Sequence, residues 1–359
     1  MSFLFFFING WLWRPLTPFR YQLCTAIHFN NAIKQYNCYE KLVLEIIQKD
    51  DIQAAAIFVR ERADSLGYGK CHNLMHRIGR AAYKKYELIE NAYEAVETFW
   101  CSDGYTHGVA EQFFMDQLGS FPLDHRANGD IKKIISSSCK KYNDVELPPT
   151  QSSAKNSLDA AICFHALGHG IMFALKNDIR QSLQNCDILP LYWHIENCHN
   201  GVFMENALSH FSFIAYPGSK NYVHQENPQY ACDRIDEKYK LICYKFVGLI
   251  ARSKNPADFK LAFVACDNIA RKDGQKVCYG DVGRTVASFV KNFTDIAHTC
   301  LETKPEWQET CLYNAAIFIR RYYPHHNKAA LEFCSKLPTM FSEKCSSIVI
   351  NDKQYVEND

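Results

Sequence analysis

Residues 257–290, ADFKLAFVACDNIARKDGQKVCYGDVGRTVASFV, decide the fold. Apolar residues recur at helical spacing in ADFKLAFVACDNI and again in QKVCYGDVGRTVASFV, and the polar ARKDG between them reads as a turn. The stretch predicts two antiparallel helices joined by a short loop. Cys266 stands about a turn before that loop and Cys278 about a turn after it. Such symmetric positions face one another, so a disulfide closes there without moving the backbone.

The same pair recurs as Cys186 with Cys198, Cys232 with Cys243, Cys300 with Cys311 and Cys334 with Cys345, always 11 or 12 residues apart. First members of successive pairs follow one another at 46, 34, 34 and 34 residues. A fixed period near 34 is the length of a helical-hairpin repeat, and repeats decide a fold before other signals do. Pro305 stands where prolines open helices, ahead of EWQETCLYNAAIFIRRYY, and Pro324 closes that segment. Towards the amino end, Cys139 with Cys163 is the same pair widened to 24 by the loop-like KYNDVELPPTQSSAKN. A second insertion, AYPGSKNYVHQENPQ, accounts for the 46-residue step. Cys71 and Cys101 occupy second-helix positions and can bridge each other; Cys24 and Cys38 stay unassigned. Each short bridged loop should add roughly 2–3 kcal/mol. The other reading, free thiols packed as small apolar residues, stays open. The expected fold is an all-α, disulfide-stapled repeat solenoid, open or curling towards a toroid.

Composition agrees with a folded chain: 47% of 359 residues are hydrophobic and 22% charged. Forty basic against 39 acidic residues argue against a nucleic-acid-binding or polybasic membrane surface as the main business. Sixteen cysteines with no CxxC argue against zinc ribbons and thioredoxin-type pairs, and for disulfides in an oxidising, extracytoplasmic compartment. MSFLFFFINGWLW, ahead of Arg14-Pro15, is too short to span a bilayer. It reads as a signal core or anchor, with a buried helix as the alternative, and is the one expected membrane contact. The organisation expected is a hydrophobic lead-in over 1–45, histidine-rich repeats over 46–215 and Cys-paired 34-residue repeats over 216–350.

Over about residues 50–350 the architecture resembles the cysteine-rich helical-hairpin proteins of the tetratricopeptide and Sel1 class. That resemblance implies a protein or peptide partner on a concave face.

Histidines gather in the first four second helices: CHNLMHRIG (71–79), CSDGYTHGVAE (101–111), CFHALGHG (163–170) and CHNGVFMEN (198–206). His72 with His76, His107 with Glu111 and His165 with His169 each have i,i+4 spacing, which puts both side chains on one helical face. Counted from its cysteine, His107 is at +6, as are His169 and Met204; His76 is at +5 and Glu205 at +7. Stacked hairpins bring equal offsets together, so His76, His107 and His169, supported by His72, Glu111, His165 and Glu205, are the candidate metal ligands. Imidazoles with one or two carboxylates suit zinc, iron or copper. A hydrolytic or oxidative centre is the natural enzyme class, with Glu111 or Glu205 as ligand or proton carrier. HExxH, GxSxG and P-loop motifs are absent, and GYGKCH (67–72) reads as a turn. Two other readings stay open: a polar peptide groove built from the same residues, and structural packing.

Overall fold

A computed structural model describes residues 32–49, 51–62, 68–96, 104–118, 154–209, 226–253, 257–290, 292–322 and 326–351, with single positions such as Cys24, Cys101 and Cys139. The hydrophobic stretch 1–13, read as a signal or anchor, lies outside the described residues. Among those described, the chain is all-helical, and no helix is long and apolar enough to cross a membrane. The amino-terminal part contains α1 (Ala32–Ile47), α2 (Ile52–Arg60), α3 (Tyr68–Tyr86), α4 (Ile89–Glu94) and α5 (Gly104–Leu118). Next come α6 (Ala154–Ala174), α7 (Ile179–Cys186) and α8 (Tyr192–Ser209). Two 3-10 turns, α9 (Lys240–Lys245) and α10 (Val247–Ala251) lead into the regular hairpins. These are α11 (Phe259–Asp267) with α12 (Lys272–Phe289), α13 (Phe293–Leu301) with α14 (Pro305–Tyr322), and α15 (His326–Ser335) with α16 (Thr339–Asn351).

The first helix of a hairpin starts on a cap. Asp178, Asp258 and Asn292 each accept a backbone N–H of the first turn of α7, α11 and α13. Each stands eight residues ahead of its cysteine, Cys186, Cys266 or Cys300. Their side chains satisfy donors that the helix itself leaves open. The second helix of the quoted stretch begins at Lys272, inside the expected turn ARKDG. Asp273 in its first turn accepts the Gly274 N–H and favours the helix dipole, so the turn is shorter than its composition suggests.

All sixteen cysteines are paired, so the free-thiol reading falls. In the amino-terminal half Cys24 bonds to Cys38, Cys71 to Cys101, Cys139 to Cys163 and Cys186 to Cys198. In the carboxyl-terminal half Cys232 bonds to Cys243, Cys266 to Cys278, Cys300 to Cys311 and Cys334 to Cys345. Every pairing expected from the spacing is present, the widened one at Cys163 included, and Cys24 and Cys38, left unassigned by the period, bridge each other. Cα–Cα separations of 5.5–6.0 Å are ordinary for a bridge. Eight disulfides point to an oxidising, extracytoplasmic environment. A second device repeats beside them. The residue after the second cysteine reaches back to the first helix: Tyr279 donates to the Phe263 carbonyl at 3.2 Å and to Asp267 at 3.0 Å. His199 meets the Leu183 carbonyl at 3.3 Å and Asp187 at 3.1 Å in the same way.

Two expectations fail locally. GYGKCH is not a turn, because α3 already runs from Tyr68. Gly69 falls in its first turn, where backbone N–H groups have no helical partner and the cost of glycine is small. The hairpin bridged by Cys232 and Cys243 is also irregular, although its disulfide forms as expected. Cys232 sits in a 3-10 turn instead of a full first helix, and Cys243 lies in the short α9, which breaks from α10 at Phe246. At the carboxyl end Cys345 lies buried within α16, so the last hairpin closes in the regular way.

Second helices pack on one another in chain order: α3 on α5, α5 on α6, α6 on α8, α8 on α9, α9 on α12, α12 on α14 and α14 on α16. Glycine sets the closest approaches. A Cβ on Gly168 would overlap the Cys198 carbonyl oxygen, and one on Gly283 would overlap that of Cys311. The α6–α8 and α12–α14 interfaces thus share one register. Apolar side chains form two clusters, one from Cys24 to Val109 and one from Ile135 to Val349. The seam between them runs between α5 and α6, where the histidines lie.

Candidate metal centre

The structure gathers His72 and His76 of α3, His107 of α5, and His165 and His169 of α6 into one cluster. His107 sits at its middle. Its ring stacks on His169 with centroids 3.8 Å apart, and lies 5.0 Å from His165, 5.1 Å from His72 and 5.4 Å from His76. The i,i+4 spacing aligns each pair on its helix, and glycine lets the helices close. A Cβ on Gly108 would overlap the His76 carbonyl, and one on Gly201 that of His165. Two groups can hold a metal ion, His72–His76–His107 and His107–His165–His169, with ligand atoms within 4.8 Å of one another in each.

Hydrogen bonds settle two tautomers. His72 Nδ1 lies 2.8 Å from the carbonyl oxygen of Cys101, which can only accept, so Nδ1 carries the proton. Cys101 has φ 56°, a left-handed conformation that a non-glycine residue adopts at a cost, and its carbonyl is aimed at this imidazole. His76 Nδ1 donates to Glu111 Oε1 at 2.7 Å, and Arg80 holds the other carboxylate oxygen at 2.9 Å. Both Nε2 atoms therefore point inward, and they face each other at 2.8 Å. Two lone pairs at that distance repel unless a cation, a proton or a metal ion, lies between or beside them. Across the centre, Glu205 Oε2 is 2.8 Å from His169 Nδ1, and His169 Nε2 is 3.2 Å from His165 Nε2.

Burial tunes the charges. It pushes His72 down to about 3, with His76 adding to the effect, and holds His107 and His169 well below the ordinary histidine range. Those three rings are neutral at pH 7 and available as ligands. Burial would raise Glu111, but the facing His76 and Arg80 more than offset it, and the carboxylate stays ionised. Burial, with the negative charge of Glu111, pushes Glu205 up to about 8, so its contact with His169 is a neutral hydrogen bond at pH 7.

These shifts carry a stability consequence. Between about 3 and the ordinary 6.5, the unfolded chain protonates His72 and the folded chain does not. Protons then favour unfolding, so stability falls as pH drops through that window. His107, His169 and Glu111 act in the same direction; Glu205, shifted upward, opposes them, losing stability as pH rises from the ordinary 4.5 to about 8, and the three histidines outweigh it below 6.5. In chelator, with disulfides intact, the urea midpoint should fall from pH 6.5 to pH 4.5. A flat or rising midpoint would contradict the neutral buried cluster.

Every ligand candidate named from the sequence lies in or against this centre, but the two carboxylates differ from the rest. Glu111 and Glu205 stand behind His76 and His169, on the Nδ1 side, where they orient rings. Met204 packs against the apolar core, and His199 belongs to the disulfide-side device described above. Sequence reasoning passed over Arg80 and the Cys101 carbonyl. Arg80 could have been found, because it follows His76 by one more i,i+4 step on the same face. Compared with known proteins, the chain matches no family model, no curated protein and no solved structure.

Proposed function

We propose that this is an extracytoplasmic helical-repeat solenoid whose buried histidine centre binds a divalent transition metal, zinc, iron or copper. The observation that carries the reading is the inward pair of Nε2 atoms of His72 and His76, whose Nδ1 sides are taken by the Cys101 carbonyl and by Glu111. A shared proton would relieve that one pair. Three further imidazoles converging on the same space favour a metal. A carboxylate on the far nitrogen of a ligating histidine strengthens it as a donor, and Glu111 stands in that place behind His76. The chain-order packing of the second helices supports the solenoid.

An ion held by three imidazoles keeps coordination positions for a small substrate, so hydrolytic or oxidative catalysis is the activity class we infer. A peptide groove lined by these residues fits less well. His72 and His169 are fully buried, and His107 is 1% exposed, so these three offer a peptide almost no surface. Protein made without an affinity tag in an oxidising compartment, and dialysed against a weak chelator, should retain at least one equivalent of zinc, iron or copper by elemental analysis. Metal-free protein that takes up none of these ions would end the proposal.

A further inference from the structure

We propose that the centre takes two metal ions, one in each histidine triad, with His107 as the ligand they share. This rests on the metal reading above and goes beyond it. The two triads have His107 in common, and an imidazole serves two ions only by offering each a different nitrogen. The two ring nitrogens of His107 are placed differently. Nδ1 lies 3.5 Å from His72 Nε2, on the side of the first triad. Nε2 is buried and has no hydrogen-bond partner, in a residue that is 1% exposed. Leaving a buried ring nitrogen unpaired is costly, and an ion bound with His165 and His169 would satisfy it.

Each triad is otherwise complete in itself. His72 and His76 face each other through Nε2 on α3, as His165 and His169 do on α6. Each pair has its own carboxyl side chain behind it, Glu111 for the first and Glu205 for the second. For His107 to bridge, its ring N–H bond breaks, the proton leaves to the buffer, and the resulting imidazolate forms one bond to each ion. With metal–nitrogen bonds of about 2 Å, the ions would stand about 6 Å apart across the ring.

Copper(II) titration of the metal-free full chain, disulfides intact, tests this. The buffer should contain enough glycine to outcompete exposed histidines such as His298, which is 75% exposed. Two equivalents should bind. The electron paramagnetic resonance signal should rise to the first equivalent and fall towards zero at the second, as the bridged spins couple. His72→Ala and His165→Ala should each bind one equivalent with full signal. Saturation of the wild type at one equivalent would overturn the two-ion proposal and leave the metal reading standing. Two equivalents with two uncoupled signals would overturn the bridging role of His107. No copper bound under competition would remove both readings. The wild-type titration decides the question even where a variant fails to fold.

Discussion

Gly108→Ala should destabilise the protein by about 3 kcal/mol or more, near the upper end for overpacking, and should weaken metal binding as well. The added Cβ would overlap the His76 carbonyl, which is backbone and cannot swing aside. α3 and α5 would have to separate. That movement draws His76 and His107 apart, so the loss of stability and the loss of affinity come together. Gly280→Ala is the control. There the new Cβ meets the Asn314 side chain at 3.2 Å, which can yield by a few tenths of an ångström. The higher helix propensity of alanine, about 1 kcal/mol, then offsets much of the crowding. Thermal melts and metal titrations of the two variants should differ clearly. Equal stability and equal affinity would show that close helix approach does not build the centre.

Replacing His107 and His169 together by alanine should abolish metal binding and leave the helical circular-dichroism signal intact. His169 is one arm of the second triad, and His107 belongs to both, so the double variant leaves no triad whole. A ligand that binds only the folded state stabilises it by RT ln(1 + [L]/Kd), about 4 kcal/mol at a thousandfold excess over Kd. Wild-type melting temperature should therefore climb with metal concentration, while that of the double variant stays level. His298→Ala, far more exposed, should climb like the wild type. A double variant that still responds to metal would place binding elsewhere.

The fold was legible wherever the cysteine spacing was regular. Cysteine spacing alone yields the hairpins closed by Cys266 and Cys278, by Cys300 and Cys311, and by Cys334 and Cys345. The caps at Asp178, Asp258 and Asn292 also stand at a fixed distance from their cysteines and could have been read in advance. The stretch around Cys232 and Cys243 was less legible, because its helices break through local packing that no period records. Counting from cysteines placed His107 beside His169, and their rings do stack. The same count gave Glu111 and Glu205 different offsets and hid their equivalence. Register between neighbouring helices is set at the glycine contacts, not at the disulfides. Counted from Gly108 and Gly201, which both meet a histidine carbonyl, Glu111 is three residues on and Glu205 four. In that frame the two carboxylates fall on matching turns. Tautomers, by contrast, depend on partners far away in the chain, such as the Cys101 carbonyl on His72, and spacing cannot supply them.

Metal-edge X-ray absorption on purified, metal-loaded protein addresses the central claim most directly. The expected spectrum shows nitrogen neighbours at about 2.0–2.1 Å, the outer-ring scattering of several imidazoles and no sulfur. A spectrum dominated by sulfur or by oxygen alone, or by the loosely hydrated ion, would contradict a histidine-built metal centre.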